Sequence, residues 1–151
     1  MTRPFPLKPI LELSKSRLDN ATRELGELIA REQEGVRKLD LLQSYRAEYE
    51  ERFREALGNG IGVEALRNYS AFMSRIDEAI EIQRTQLDQS QRRTEVGKQA
   101  WVNQRNKVKA FDTLQSRHLA TEMRRTAKGE QQLLDEHSAN RHRERKDSNE
   151  S

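Results

Sequence analysis

Between residues 9 and 57 apolar side chains return every three or four positions: Leu11, Leu18, Leu25, Leu28/Ile29, Val36, Leu39, Leu42, Tyr45, Tyr49, Phe53 and Leu57. This is the period of an α-helix that buries one stripe. A second stripe is stricter. Alternating steps of three and four from Leu66 give Tyr69, Met73, Ile76, Ile80, Gln83, Leu87, Ser90, Thr94, Gly97, Trp101, Gln104, Val108 and Phe111. That register, unbroken over about six heptads, predicts a left-handed coiled coil. Its middle is thin, because Gln83, Ser90, Gly97 and Gln104 fall on one line of the seam. Either this is ordinary variation within a coiled coil, or the helices are freer to bend and separate there.

The breaks are as informative as the stripes. All three prolines, Pro4, Pro6 and Pro9, lie at the N-terminus, and proline is tolerated only in the first turn of a helix, so the first arm is expected to begin near residue 10. Gly26 and Gly35 each cost a helix about 1 kcal/mol relative to alanine but, standing alone, do not end it. The stretch "REALGNGIGVEAL" is different: Gly58, Gly60 and Gly62 surround Asn59 and Ile61, which supplies the left-handed backbone needed just past a helix end. A short connection makes two long amphipathic helices antiparallel neighbours. Folding at about residue 60 makes partners level when their numbers sum to about 121, which sets Trp101 near Asn20 and Ala21, Val108 near Leu13 and Phe111 near Ile10.

The predicted fold is all-α, a long antiparallel two-helix coiled-coil hairpin with unequal arms. An N-terminal segment covers residues 1–9. The hairpin follows over 10–137, with helices at 10–57 and 63–137 and a turn at 58–62. The second arm outruns the first through "LQSRHLATEMRRTAKGEQQLLDEH", where it finds no counterpart in the chain, and "SANRHRERKDSNES" reads as a disordered tail over 138–151.

Composition sharpens this picture. Only 33% of the 151 residues are hydrophobic and 35% are charged, with a mean hydropathy of -1.05. Such a chain can line a narrow seam but cannot surround a thick core. There is no cysteine, hence no disulfide framework or thiolate metal site, and a reducing compartment is expected. No apolar run approaches the roughly 20 residues that cross a bilayer, and the N-terminus shows no secretory signal.

The chemistry of catalysis is missing. "GNGIG" is not followed by Lys-Ser/Thr and does not follow a strand, so it is no phosphate loop. His118, His137 and His142 lack carboxylate or cysteine companions at metal spacing. A two-helix hairpin also has no concavity in which Ser, His and Asp would converge. No catalytic residue, metal site, cofactor or small-molecule substrate is expected. Residues 92–109 gather Arg92, Arg93, Lys98, Arg105, Lys107 and Lys109 around Glu95, whereas Glu48, Glu50, Glu51, Glu55, Asp77, Glu78 and Glu81 make the turn end acidic. These charges read either as solvated helix faces or as opposite surfaces for different partners. The basic run carries no recognised reader motif, and its one aromatic, Trp101, falls on the seam, so nucleic acid is not an expected partner.

Near the turn there are more apolar residues than a two-stranded seam needs. Leu42, Tyr45 and Tyr49 form a stripe on the first arm; Phe72, Ile76 and Ala79 form one level with it on the second. Either the stripes widen the seam where the hairpin closes, or they leave an exposed patch across both helices, and exposed patches of this kind bind partners.

With "LLQSYRAEYEERF" before "GNGIG", then "NYSAF" and "AIE", and a later "LQSRH", the chain resembles the flagellar FliJ family of type III export proteins over roughly residues 7–135. The most specific block is 36–84. The resemblance implies a cytoplasmic coiled coil, peripherally associated with the inner membrane at the flagellar base and similar to the central stalk of rotary ATPases. It implies binding to the hexameric flagellar export ATPase with promotion of ring assembly, to the cytoplasmic domain of the export gate membrane protein, and to export chaperones. The family's gate-contacting surface falls here on Lys38, Leu42, Tyr45, Tyr49, Phe72, Ile76, Ala79 and Gln83. By the stalk analogy, the end carrying both termini enters the ATPase ring, with Leu11, Leu18, Leu25, Phe111 and Leu114 joining the helices there and Arg117, Arg124 and Arg125 facing acidic groups of its channel. Outside the resemblance, the same patch fits a generic coiled-coil scaffold of an unrelated cytoplasmic complex.

Overall fold

Proline decides where the first helix begins. In the computed structural model, which describes residues 3–150, α1 spans Lys8–Asn59. Pro9 stands in its first turn, where a missing N–H breaks no helical bond. The Lys8 amide donates to the Phe5 carbonyl (3.2 Å) and the Leu11 amide to that of Leu7 (2.9 Å). At the far end the Gly60 amide donates to the Leu57 carbonyl at 3.2 Å. Gly60 has φ +79°, the one left-handed residue among those described, so the reversal rests on the residue type that adopts this conformation without a Cβ clash. The second helix, α2, spans Val63–Glu150. It opens with the Leu66 amide on the Gly62 carbonyl at 3.0 Å, and Glu64 in its first turn complements the positive end of the helix dipole.

Two long helices packed as an antiparallel coiled-coil hairpin, with no strand among the described residues, form the fold expected from the pattern. The arms are unequal, 52 residues against 88. The segment from 138 departs from expectation. It is helical as far as Glu150, although its residues are exposed as far as their side chains are described. Beyond Gly129 it holds neither Gly nor Pro and is rich in strong helix formers. It also extends a helix already nucleated, so each further residue adds a bond without a new nucleation cost.

The chain divides into two compact units. One, Asp19–Asn103, contains the turn. On α2 its seam follows the strict register: Ile76 and Ile80 are buried, as is Thr94, and Tyr69, Met73, Gln83, Leu87, Ser90, Gly97 and Trp101 are half-buried. Thr94 satisfies its hydroxyl on the Ser90 carbonyl at 3.0 Å. On α1 the seam runs through Ala21, Leu25, Leu28, Glu32, Gly35, Leu39, Leu42, Arg46, Tyr49, Phe53 and Ala56. Val36, Tyr45 and Leu57, read as members of the stripe, lie outside it and are exposed; Gly35, Arg46 and Ala56 hold the places beside them. The reason is periodic: seam positions must alternate by three and four, whatever occupies them. A small residue or the stem of an arginine fills such a place between two helices.

The other unit comprises Met1–Leu18 with Gln104–Ser151. Leu11, at 2% exposure, is the most buried apolar residue described, and Ser14 and Val108 are buried with it. Ile10 and Leu13, expected against Phe111 and Val108, are instead exposed, one step off the seam that Leu11 and Ser14 occupy. Lys15 and Asp112 approach to 3.9 Å across the pair.

Candidate functional site: an aromatic groove near the turn

The turn forces the aromatic residues of the two arms together. Tyr49 and Phe53 occupy successive seam positions of α1 and Tyr69 occupies one on α2, so their rings meet. The Tyr49 ring lies 4.2 Å from Phe72 and 5.3 Å from Tyr69, and Phe53 lies 5.3 Å from Tyr69, all tilted. Tilted arrangements at these separations are favourable for aromatic quadrupoles. Phe72 and Tyr45 sit beside the seam and remain exposed by 42% and 53%.

Leu42, Tyr45, Tyr49, Phe72 and Ile76 thereby line a groove of about 510 Å³ on one face of the turn unit, with Glu48 and Arg52 at its rim. Glu48 and Arg52 pair with each other at 3.2 Å, which leaves the groove floor apolar. The opposite face is closed by charge. Arg46 binds Asp77 across the pair and reaches Glu50 at 3.3 Å, Arg54 takes the other oxygen of Glu50 at 3.2 Å, and Arg84 pairs with Glu81 at 2.9 Å. The carboxylate of Asp77, followed by Glu50, holds the Arg46 guanidinium above its already high ordinary pKa, so it is a permanent cation.

Five of the eight residues expected on this surface share the groove. Lys38 and Gln83 line a neighbouring groove of about 320 Å³ instead, where the Gln83 amide donates to the Gly35 carbonyl at 3.3 Å. Ala79 is half-buried and lines neither. The Glu48–Arg52 rim and the supporting rings of Phe53 and Tyr69 were not singled out from sequence. The signal was present in the rings' seam spacing, but the rim pair looks like any i,i+4 surface pair.

The residues assigned to the opposite end are dispersed differently. Leu11, Leu18 and Phe111 lie in the seam of the terminal unit, Leu114 is exposed, and Leu25 belongs to the turn unit. Arg117 and Arg124 are exposed, whereas Arg125 donates to Glu122 at 3.1 Å. Glu122 is buried to 5% exposure and anchors the N-terminal segment, which sequence reading left without a partner on α2. The Arg3 amide donates to its Oε2 at 3.2 Å. The Arg3 carbonyl lies 2.9 Å from the Nε2 of His118, and the Phe5 ring sits 5.6 Å from the His118 ring. The Arg3 amide bond, assisted by Arg125, holds the Glu122 carboxyl below the ordinary glutamate range despite its burial.

No group of three metal-ligating side chains occurs among the described residues, and no described helix is long and apolar enough to cross a membrane. Compared with known proteins, residues 3–147 match the family model described as the flagellar FliJ protein. The flagellar FliJ protein of Salmonella typhi is 30% identical over 130 residues, covering 86% of this chain and 88% of that one. The flagellar FliJ protein of Escherichia coli K12 is 26% identical over the same shares. Among solved structures, a YscO homologue from Chlamydia trachomatis superposes with a TM-score of 0.57 at 19% identity, covering 97% of this chain and 98% of that one.

Proposed function

Because the chain belongs to the flagellar FliJ family, and so to the flagellar type III export machinery, we propose that it works there as a non-enzymatic, stalk-like adaptor, with the aromatic groove as its docking site for the cytoplasmic domain of the export gate protein. The observation that carries this reading is the asymmetry of the turn unit. One face presents Tyr45 and Phe72 to solvent over half-buried Leu42 and Tyr49 and buried Ile76, while the other carries the ion pairs of Arg46, Arg54 and Arg84. Exposed aromatics backed by packed rings are rigid anchors that lose little entropy on binding.

The terminal unit is proposed to engage the hexameric export ATPase and favour its ring assembly. Of the three arginines assigned to that contact, Arg117 and Arg124 are exposed and, among the described residues, unpaired, whereas Arg125 is already committed to Glu122. Escort of export chaperones and a position at the cytoplasmic side of the inner membrane, at the flagellar base, belong to the same reading.

The test uses Tyr45→Ala/Phe72→Ala, both beside the seam, with only the ring contact of Phe72 to Tyr49 lost within the fold. Two anchor truncations at about 2 kcal/mol each, taken as additive, weaken binding by on the order of a thousandfold. Calorimetric titration of the full chain with the gate protein's cytoplasmic domain reads this directly, with helicity retained by circular dichroism. An unchanged Kd refutes the assignment. Tyr49→Ala behaves differently: it removes a ring that touches Phe72 and Tyr69, so it lowers stability as well as binding.

A further inference from the structure

The groove beside the aromatic one is polar and cationic. Its walls carry Arg31, Lys38 and Arg93, and its floor is the bare backbone of Gly35, whose carbonyl is occupied by Gln83. Its one carboxylate, Glu34, lies 3.2 Å from the guanidinium of Arg37. Elsewhere in the turn unit Arg46, Arg52, Arg54, Arg84 and Arg92 each lie within 4 Å of a carboxylate, whereas Arg23, Arg67 and Arg75 stand singly on the surface. Among the described residues Arg31, Lys38 and Arg93 have no such partner. Three uncompensated cations therefore converge from two helices on one depression.

Lys38 stands one heptad from Tyr45 along α1 and Arg31 two, about 10 Å and about 21 Å at 1.5 Å per residue. All three lie on the same edge of the seam, since residues seven apart in a heptad repeat share a side. The apolar and cationic grooves thus form one track in the order aromatic, Lys38, Arg31 with Arg93.

We infer that this cationic groove receives the carboxylates of an acidic protein segment, continuous with the apolar segment that docks on Tyr45 and Phe72. This rests on the gate-docking reading above and adds the chemistry of the partner: an apolar anchor followed, within about 20 Å, by two or more Asp or Glu side chains. A protein segment fits better than nucleic acid because the track begins on an apolar floor with no charge to offer a phosphate. Charges at the edge of an apolar contact act mainly through association rate and salt dependence, which gives the inference its own signature.

Two probes test it with the full-length chain. The first is the gate protein's cytoplasmic domain, measured by stopped-flow association at low and at physiological salt. Arg31→Glu/Arg93→Glu is expected to slow association by about tenfold and to flatten its salt dependence, with helicity unchanged because both side chains are exposed; Arg31→Lys/Arg93→Lys retains most of the rate. If the reversal leaves the rate and salt dependence untouched while Tyr45→Ala/Phe72→Ala abolishes binding, the inference is overturned and the docking site stands. The second probe does not depend on the gate. It is a helical peptide of about 20 residues bearing Leu and Phe on its first turns and Glu on the same side of the next three, compared with its Glu→Gln version. The Glu peptide binds about tenfold tighter to the native chain, and the charge reversal erases that margin. Equal binding of the two peptides, or displacement of the Glu peptide by duplex DNA at physiological salt, overturns the inference even if gate binding is lost for other reasons.

Discussion

Three glycines within the helices of the turn unit give a graded test of how closely those helices approach. Replacing a helical glycine by alanine stabilises by about 1 kcal/mol when nothing else changes, through lower backbone entropy in the unfolded chain. At Gly26 an added Cβ meets nothing within 4 Å, so Gly26→Ala collects the full gain. At Gly35 the Cβ falls 3.3 Å from Leu87 Cδ1 and 3.7 Å from Gln83 Nε2. The leucine methyl must yield by a few tenths of an ångström, leaving a net gain of about 0.5 kcal/mol once mild overpacking is subtracted. At Gly97 the Cβ falls 2.6 Å from Leu28 Cδ1 and 3.6 Å from Leu25 Cδ1. A leucine end group can rotate away, but Leu28 is half-buried in the seam and its own carbonyl lies 3.4 Å from the Thr94 hydroxyl. Overpacking of this kind costs about 1–3 kcal/mol, which cancels or reverses the gain. The expected order of stability is therefore Gly26→Ala above Gly35→Ala above Gly97→Ala, with Gly97→Ala at or below the parent chain. Urea unfolding followed by far-UV circular dichroism measures each. A double-mutant cycle of Gly97→Ala with Leu28→Ala isolates the clash, since removing the leucine end group makes the pair less harmful than the sum of its parts. If Gly97→Ala raises stability as much as Gly26→Ala, the close approach at Gly97 is refuted.

Two other outcomes follow from the hydrogen bonds. The folded pKa of Glu122 lies below the ordinary glutamate value, so its anchoring of Arg3 is fully present above that value and is lost as pH falls through the lower folded one. The Arg3 amide and Phe5 ring resonances should shift together in that acid range, with His118 and Arg125 as the other charged groups at the site; Glu122→Gln removes the shift, and a Phe5 signal that is flat with pH contradicts the anchoring. The indole of Trp101, the sole tryptophan, donates to the Thr22 hydroxyl at 2.9 Å. Thr22→Val should cost about 0.5–1 kcal/mol and move the Trp101 emission maximum, and an unmoved spectrum argues against that bond.

The register of α2 was legible from Tyr69 to Phe111 because its seam holds enough apolar residues there to reveal the three–four alternation even across Gln83, Ser90 and Gly97. At the start of the predicted stripe Leu66 is exposed, and Ala65 beside it is half-buried. On α1 the same alternation passes through Ser14, Glu32, Gly35 and Arg46, and the eye follows the nearby Val36 and Tyr45 instead. Hydropathy marks where burial would be rewarded; it does not register that a glycine or an arginine stem fills a gap set by helix geometry. The apolar groove was legible for the converse reason: its residues exceed what a seam can absorb. The N-terminal anchor on Glu122 and His118 left no trace in hydropathy, because it depends on backbone amide and carbonyl groups of Arg3 that every sequence carries. The helical continuation to Glu150 was hidden by composition, which resembles that of disordered chains although Ala139, Arg141, Arg143, Glu144, Arg145 and Lys146 are strong helix formers.

The three-residue connection at Gly60 orders the folding of the chain in time. Closing a loop costs entropy that rises with its length, and a hairpin contains every length, from neighbours beside the turn to Arg3 and Glu122, 119 residues apart. Assembly is therefore expected to start where Tyr49, Phe53, Tyr69 and Phe72 meet and to zip outward, each closed turn shortening the loop for the next. On a nascent or refolding chain the aromatic groove is the first surface to exist, and the clasp on the N-terminal segment the last.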